Sequence, residues 1–450
     1  MRQLFVWGTT CLATALALIS FARPSLAADD GPEVSHEATK LNQRGLDYLH
    51  KKQYGQAVAT FREALKIHPE DPDALDNLGK ALEATGNDAE AIAQFDKAIR
   101  IAPDRAAAYA DKGLALFHAG KYEEAAASYR QAIEHHADFP EAQNGLGASL
   151  LQLGRNDEAI AAFRSAVTSN PKNADALGNL GSALLAQNNA VEALPFLRKA
   201  HSLRPEWKDM LEHYAAALEQ TGQMHEAIAA YYKLARKHPD EPALWVRLGN
   251  LYYKEKRYGQ AVTAFEKSLA SKQDQPDVLL ALGQAQADQG KLDHAIHTYE
   301  KSVTLKPDDF HARYRLGSAY FAQKDYVKAA TNYEKAYELK PEYADSLVGL
   351  GASQLAASRF EDAVRTYQKL VPLKPDDAGV RFNLGNALFN AGQFQEATAA
   401  YTETVRLNPG LAHAHYNLAM AFLRLNEAKS AQTEFAEAHR LDPSLNPPAR

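Results

Sequence analysis

Metal-dependent hydrolysis often uses two histidines one helical turn apart with a glutamate beside the first, and this sequence lacks that pattern. His36-Glu37 and His225-Glu226 both lack the second histidine at the required spacing. The chain has one cysteine, Cys11, and it lies in a segment that we predict to be removed. The rest of the chain therefore has no disulfide framework, zinc–thiolate site or thiol nucleophile.

Two weaker patterns also fail as chemical sites. His294 and His297 are three residues apart on a predicted outer helix, which is a spacing that could hold a metal ion, but isolated surface histidines are far commoner. Two glycine pairs resemble the start of a phosphate-binding loop: Gly145 with Gly147, and Gly349 with Gly351. No strand precedes either pair, so we reject that interpretation. We predict no catalytic residue, no metal site and no cofactor.

The side chains best suited to binding are asparagines interleaved with aromatic residues late in the chain. They are Phe382, Asn383, Asn386, Phe389, Asn390, Tyr416 and Asn417. An amide can donate to a backbone carbonyl and accept from a backbone N–H of an extended peptide, while aromatic rings bury the peptide's side chains. The sequence therefore predicts a peptide-binding surface. The alternative is that asparagine is merely tolerated on an exposed helix face.

Two more sets of residues fall on corresponding predicted helix faces. A basic and aromatic set, which we add to the predicted binding residues, comprises Arg247, Asn250, Tyr253, Tyr314 and Arg315. A mainly acidic set, relieved by Lys80, comprises Asp73, Asp76, Asn77, Glu83, Asp111, Glu141, Asp175, Asp209, Glu212 and Glu219. We expect the second set to give an acidic lining to the earlier part of a groove.

The elements that position these residues repeat every 34 residues from Ala38 to Leu445, in twelve windows. Glycine occupies one column at Gly45, Gly79, Gly113, Gly147, Gly181, Gly249, Gly283, Gly317, Gly351 and Gly385. Ala215 and Ala419 fill the other two places. Alanine, aromatic residues and proline form three further columns, as at Ala91, Phe95 and Pro103.

Within each window, apolar residues recur at helical spacing on both sides of a polar break, so each window is predicted to be two helices and a turn. The small columns let the helices approach closely, the aromatic column fills the facing space, and the proline ends the second helix. One such unit cannot bury its apolar face alone, whereas stacked units can. At the last window Gln432 and His439 replace apolar residues, so we expect its outer face to meet water and to close the array.

The four columns together resemble the tetratricopeptide repeat family in all twelve windows. The resemblance implies an all-α fold, an α-solenoid of about twelve helix–turn–helix repeats in a right-handed superhelix. It also implies that the first helices line an inner groove that binds peptides or proteins. Asparagines in these columns often line the groove, which supports the role predicted for Asn383, Asn386 and Asn417.

The first 37 residues contain two predicted segments. Residues 1–27 read as a secretory signal peptide: Arg2 is positive, an apolar stretch follows, and Ser25-Leu26-Ala27 suits cleavage before Ala28. An uncleaved leader that anchors the chain in a membrane is the alternative. Residues 28–37 are predicted to form a flexible acidic linker, residues 38–445 the repeats, and residues 446–450 a short tail. The predicted location is the periplasm or the exterior.

The charge of the predicted mature chain argues against nucleic acid as a partner. Removal of Arg2 and Arg23 leaves 48 of the 50 Lys and Arg residues against 56 Asp and Glu, a net charge of −8. A nucleic-acid surface requires the opposite excess. Two functions remain. The first is a non-catalytic scaffold of the cell envelope that holds a peptide or protein in its concave groove. The second is an architectural subunit of an envelope secretion or polysaccharide-export assembly that binds through its convex face.

Overall fold

A computed structural model describes residues 32–448, which fold as 24 α-helices with no strand among them. The helices of the first half are α1 (Pro32–His50), α2 (Tyr54–Ile67), α3 (Pro72–Glu83), α4 (Asp88–Ile101), α5 (Ala106–His118), α6 (Tyr122–His135), α7 (Pro140–Gln152), α8 (Asn156–Ser169), α9 (Ala174–Ala186), α10 (Ala190–Leu203), α11 (Lys208–Gln220) and α12 (Met224–Lys237). The helices of the second half are α13 (Pro242–Lys254), α14 (Tyr258–Ser271), α15 (Pro276–Asp288), α16 (Leu292–Leu305), α17 (Phe310–Ala322), α18 (Tyr326–Leu339), α19 (Ala344–Ala356), α20 (Phe360–Leu370), α21 (Ala378–Asn390), α22 (Phe394–Leu407), α23 (Ala412–Arg424) and α24 (Ala428–Leu441).

Odd-numbered helices are the first helices of the repeats and even-numbered helices are the second helices. The chain divides into two compact units between Ala230 and Tyr231, inside α12. We call them the N-terminal unit and the C-terminal unit. Within each unit first helices pack against the second helices of their own repeats, as α13 packs against α14, and successive first helices also contact one another, as α21 contacts α23. The predicted all-α architecture of helix–turn–helix repeats is confirmed.

The glycine column lies where the first helix meets the aromatic ring of the second. A Cβ atom added to Gly249 would come within 2.6 Å of Cε1 of Phe265, and one added to Gly385 within 2.5 Å of Cε1 of Tyr401. Both distances are far inside van der Waals contact, so a side chain at either of these two positions would displace the ring. The alanine column is buried as well, with Ala261 and Ala397 fully inaccessible. The predicted reason for both columns is therefore confirmed.

The turn between the two helices of each repeat places one residue in the left-handed conformation. Glycine holds this place in some repeats, as at Gly392 with φ of 78°. Elsewhere the same place carries a side chain, as at Ser358 with φ of 59° and Lys256 with φ of 58°. Because a Cβ atom disfavours this backbone region, these turns retain a local cost that glycine would relieve.

The ends of the chain differ in part from expectation. Helix α1 begins at Pro32, so residues 32–37 are helical and the predicted flexible linker over 28–37 is wrong for that part. Proline suits the start of a helix because its missing N–H would have no partner there. Residues 446–448 follow α24 without helical structure. The predicted signal peptide, residues 1–27, lies outside the described residues.

Two structural features are absent from residues 32–448. No helix there is both long and apolar enough to cross a bilayer. Nor do three His, Cys, Asp or Glu side chains come together in that range in a way that could hold a metal ion. His294 and His297 are both exposed on the second helix α16.

Candidate binding surface on the first helices of the C-terminal unit

All twelve residues predicted to bind a partner lie on first helices of the C-terminal unit. Helix α13 carries Arg247, Asn250 and Tyr253, α17 carries Tyr314 and Arg315, α21 carries Phe382, Asn383, Asn386, Phe389 and Asn390, and α23 carries Tyr416 and Asn417. The structure thus separates them into an α13–α17 group and an α21–α23 group. The two helices of the second group are adjacent first helices in direct contact.

The α21–α23 group is organised by a side-chain bond between successive repeats. The Nδ2 of Asn417 donates to the Oδ1 of Asn386 over 2.9 Å, and the Tyr401 hydroxyl donates to the same oxygen over 2.7 Å. This oxygen therefore accepts two bonds, which fix the rotamer of Asn386. Tyr401 of the second helix α22 and Asn417 of the next first helix α23 together hold the amide of Asn386 in place.

The same two amides keep groups that these bonds do not use. Asn386 retains its Nδ2 donor and Asn417 its Oδ1 acceptor, and both residues are half-buried rather than enclosed. One turn later the Nδ2 of Asn390, an exposed residue, donates to the backbone oxygen of Asn386 over 2.7 Å. The pair thus presents one donor and one acceptor in a fixed arrangement, which is what a peptide backbone requires.

Asn383 lies one turn before Asn386 and faces a buried tyrosine. Burial raises the pKa of the Tyr367 hydroxyl, and the neighbouring Asn383 amide opposes that rise. Tyr367 is fully buried, whereas Asn383 is half-buried. The side chain of Asn383 therefore contacts the buried Tyr367 while the rest of the residue is partly exposed.

The aromatic residues predicted to bury peptide side chains are partly core residues. Phe382 packs on Tyr401 with ring centres 5.9 Å apart, and Tyr416 packs on Phe435 with ring centres 5.3 Å apart. Both are half-buried, so each ring offers only part of its surface. Phe382 therefore contributes both to folding and to the candidate surface.

Phe389 belongs to a separate aromatic contact, beside the turn between the two helices of its repeat. Its ring stands edge-on to Phe394 with ring centres 5.4 Å apart. The Arg424 guanidinium of the next repeat lies 5.9 Å from the Phe389 ring centre and 5.8 Å from that of Phe394. This cation–π contact ties α23 to the preceding repeat. Arg424 belongs to the same surface.

The α13–α17 group has a different character. The Tyr253 hydroxyl donates to Oδ2 of Asp288 over 2.5 Å, and Nε2 of Gln284 donates to the same oxygen over 3.0 Å. Burial and Asp288 raise the pKa of Tyr253 to about 12, while the positive charge of Arg315 opposes that rise. Hydrogen bonds therefore link Tyr253 of α13 to Asp288 of α15, and the charge of Arg315 on α17 acts on the same tyrosine.

The remaining members of this group vary in exposure. Tyr314 is half-buried in an aromatic cluster, 5.5 Å from Tyr333 and 5.4 Å from Tyr343 by ring centres. Arg247 lies over the Tyr231 ring at 5.4 Å. Asn250 is exposed on α13, as is Arg315 on α17.

One regularity of the first helices, present in both units, was not predicted from the sequence. The residue that follows the glycine column bonds to the residue 31 places later, on the next first helix. Three pairs show it: Asn386 with Asn417, Ser182 with His213 at 2.7 Å, and Lys80 with Asp111 at 3.0 Å. Complementary polar residues 31 places apart are the signal that would have revealed these bonds.

The acidic lining expected in the N-terminal unit is largely neutralised by neighbouring cations. Lys80 contacts Asp76 at 2.8 Å and Asp111 at 3.0 Å. Further pairs join Asp73 to Arg105 at 2.5 Å, Glu83 to His118 at 3.0 Å, Asp175 to Arg204 at 2.8 Å, and Glu212 to Lys208 at 3.7 Å. Two of these cations, Arg105 and Arg204, lie in the turns between helices, outside the helix faces from which the lining was predicted.

Solved structures with a similar fold share little sequence with this chain. YrrB, described as a TPR protein with an unusual peptide-binding site, is 24% identical over 40% of this chain and 93% of its own, with a TM-score of 0.37. MamA from Desulfovibrio magneticus RS-1 is 22% identical over 38% of this chain and 97% of its own, with a TM-score of 0.36. The Cut9–Hcn1 structure of the APC/C is 17% identical over 90% of this chain and 94% of its own, with a TM-score of 0.33. Comparison with curated proteins finds no match.

The family itself is established by sequence. One profile of the tetratricopeptide repeat matches residues 42–106, 110–173, 149–206, 280–344 and 382–446, which together exceed half of the chain. A second profile of the same repeat matches residues 218–286 and 320–381. The chain belongs to the tetratricopeptide repeat family.

Proposed function

We propose that this protein is a non-catalytic scaffold that holds an extended segment of a partner protein on the first helices of its C-terminal unit. The observation that carries this proposal is the Asn386–Asn417 pair, whose shared bond of 2.9 Å fixes one donor and one acceptor on adjacent helices. Tetratricopeptide repeat proteins bind protein or peptide partners, which supports the class of function.

In this proposal the protein recognises its partner through hydrogen bonds to the partner's main chain. Nδ2 of Asn386 donates to a peptide carbonyl and Oδ1 of Asn417 accepts from a peptide N–H. Each such bond contributes roughly 0.5–1.5 kcal/mol after water is displaced. The bond from Tyr401 to Asn386 lowers the entropic cost of binding, because the amide is already ordered before the peptide arrives.

The exposed parts of the aromatic rings provide the apolar component. Phe382, Phe389 and Tyr416 are each half-buried on α21 and α23, so their outer edges can cover partner side chains that alternate along an extended peptide. Such contacts require apolar side chains without fixing their identity. The surface therefore suits a segment defined by backbone conformation and general composition.

A second candidate is an architectural role in an envelope secretion or polysaccharide-export assembly, with binding through the second helices. Leu305, Leu339 and Leu373 are one repeat apart and lie at or after the ends of second helices. They are 45%, 41% and 52% exposed. A row of aliphatic side chains left in water favours a contact on this side.

We further propose that the protein acts outside the cytoplasm, either in the periplasm or secreted. The support is the leader, with its apolar stretch and the Ser25-Leu26-Ala27 cleavage sequence. Mass spectrometry of the protein from its natural host should find Ala28, or a residue within a few places of it, at the N-terminus. Soluble cytoplasmic protein that retains residues 1–27 would contradict the proposal.

Photo-crosslinking in the host tests which face binds. A photoreactive residue at Asn390 lies on the first-helix face of the C-terminal unit, and one at His297 lies on a second helix of the same unit. Both positions are exposed, so neither substitution should perturb folding. The scaffold proposal expects one defined adduct from position 390 and none from position 297. The reverse result would support the architectural role.

A further inference from the structure

The first helices of the two units differ in the sign of their charge. In the N-terminal unit, α1, α3, α5, α7, α9 and α11 carry twelve Asp and Glu against five Lys and Arg. In the C-terminal unit, α13, α15, α17, α19, α21 and α23 carry three Asp against six Lys and Arg. The second set is therefore positive in a protein whose net charge is −6.

The positive excess belongs to the first helices and not to the C-terminal unit as a whole. Its second helices α14, α16, α18, α20, α22 and α24 carry eleven Asp and Glu against nine Lys and Arg. If the charge reflected only the composition of the C-terminal unit, its first helices and its second helices would carry net charges of the same sign. The charge thus follows the face that carries the candidate binding residues.

The three acidic residues on this face are already engaged. Asp288 accepts bonds from Tyr253 and Gln284, and Asp345 pairs with Lys374 at 2.9 Å. Asp277 lies 3.8 Å from Lys306. Each carboxylate therefore has a partner within its own unit.

Several cations of the same face have no such partner. Lys254, Arg315 and Arg424 are exposed, and within the described residues none of them makes an ion pair with a carboxylate. Arg424 lies over aromatic rings, which leaves its charge uncompensated. The positive charge of Arg315 also reaches Tyr253 and Tyr299, in the two preceding repeats. The face therefore presents uncompensated positive charge beside aromatic rings.

We propose that the segment held on the first helices of the C-terminal unit is acidic, with Asp or Glu side chains interspersed among apolar residues. This inference rests on the proposed scaffold function and adds the chemical class of the partner. Lys254, Arg315 and Arg424 pair with the carboxylates, while the Asn386–Asn417 pair holds the main chain. Opposite charges steer association and exclude basic segments.

Selection from a phage-displayed library of random 12-residue peptides on the purified protein tests the inference. Recovered peptides should be more acidic than the input library. One recovered peptide is then titrated by fluorescence anisotropy at low salt. Lys254→Glu with Arg315→Glu should weaken its binding by about tenfold or more and should reduce its salt dependence.

The matched control reverses two exposed lysines on second helices of the same unit, Lys301→Glu with Lys369→Glu. The net charge of the protein changes by the same amount, so binding should change less than about twofold if the first-helix face is responsible. An equal loss in the control would show a general charge effect and overturn the inference. Circular dichroism of each variant verifies folding, and Lys254→Gln with Arg315→Gln replaces a reversal that misfolds.

The possible results separate the inference from the function on which it rests. Peptides with no charge bias, or with a basic bias, would overturn the acidic class while leaving peptide binding in place. Recovery of no peptide would contradict binding of an extended segment, and the inference would fall with it. A concentration-dependent increase in mass without peptide would instead identify a second copy of this chain as the occupant and overturn the proposal.

Discussion

Asn417 donates a 2.9 Å hydrogen bond to Oδ1 of Asn386, and this bond joins the first helices of two successive repeats. It orders two amides before any partner is present, since Asn386 also accepts from Tyr401. A polar residue on a repeat surface can thus serve both stacking and recognition. The two roles can be separated experimentally, because only one of them requires a partner.

We expect Asn386→Ala with Asn417→Ala to weaken partner binding without reducing helicity. Each lost bond to the peptide costs roughly 0.5–1.5 kcal/mol, so affinity should fall by about fivefold to a hundredfold. Isothermal titration with a captured partner or selected peptide measures the change. Far-UV circular dichroism measures helicity.

The control for this pair is Asn144→Ala with Asn179→Ala. These asparagines, which are 35 residues apart, form an amide–amide bond of 3.0 Å between successive first helices of the N-terminal unit. The substitution removes the same chemical groups and a comparable stacking contact, but it leaves the candidate surface intact. An equal loss of affinity in both double variants would show that the α21–α23 surface has no special role.

The left-handed turns predict opposite effects for two reciprocal substitutions. Ser358→Gly should stabilise the protein by about 1 kcal/mol, since glycine relieves the cost of a Cβ atom at φ of 59°. Gly392→Ser, at the same place in the next repeat, should destabilise it by a similar amount. Thermal melts followed by circular dichroism check both, and shifts of the same sign would be inconsistent with this explanation.

Gly249→Val should loosen the packing of α13, α14 and α15. A Cβ atom at this position would lie 2.6 Å from the buried Phe265 ring, so the helices must separate at a cost of about 1–3 kcal/mol or more. Because repeats contact mainly their neighbours, the effect should be local. Hydrogen exchange should show faster exchange there and unchanged protection in α1, α3 and α5.

The matched substitution Gly259→Val serves as the control for Gly249→Val. Gly259 is exposed near the start of α14, and its nearest neighbour for an added Cβ atom is the end of the flexible Gln289 side chain. Its effect on exchange should be small. Uniform loss of protection along the whole chain in Gly249→Val would argue against stability that is distributed repeat by repeat.

Asp111 should make the N-terminal unit less stable as pH rises from about 4 to about 7. Burial raises its pKa to about 7; Lys80 opposes this rise and Asp76 adds to it. In that interval the folded state holds a proton that the unfolded state has released, so the free energy of unfolding falls with increasing pH. The stabilisation is fully present below the pKa that Asp111 has in the unfolded state. It is lost as the pH rises through the pKa that Asp111 has in the folded state.

The test of this pH dependence is Asp111→Asn. Urea denaturation at several pH values should show a smaller decline in stability for the variant than for the unmodified protein. Asp104→Asn, in an exposed turn, controls for the loss of one carboxylate. An unchanged slope in Asp111→Asn would show that this group does not titrate in that range.

Sequence periodicity was sufficient to predict the fold because each column has a local steric cause. Gly249 is required by Phe265, and the same relation recurs as Gly385 with Tyr401. Repetition of one requirement in many windows makes the pattern hard to produce by chance. The start of α1 was mispredicted because residues 32–37 lie before the first window, where no column constrains them.

The candidate surface was only partly predictable. Helix periodicity placed Asn386 and Asn417 on an accessible face, but it did not identify their mutual bond, which depends on the offset between successive repeats. The pairing of acidic residues was missed for a related reason. Asp175 is paired by Arg204, which lies in the turn before the next first helix, and helix periodicity does not indicate where the side chains of turn residues lie.

Hydroxyl-radical footprinting with and without the captured partner shows which face of the repeats the partner covers. Partner binding should lower oxidation of Phe389 and Tyr416 on the first-helix face, while oxidation of Leu339 and Leu373 stays unchanged. Protection of the two leucines, with no change at Phe389 and Tyr416, would contradict the account and place the partner on the opposite side of the repeats.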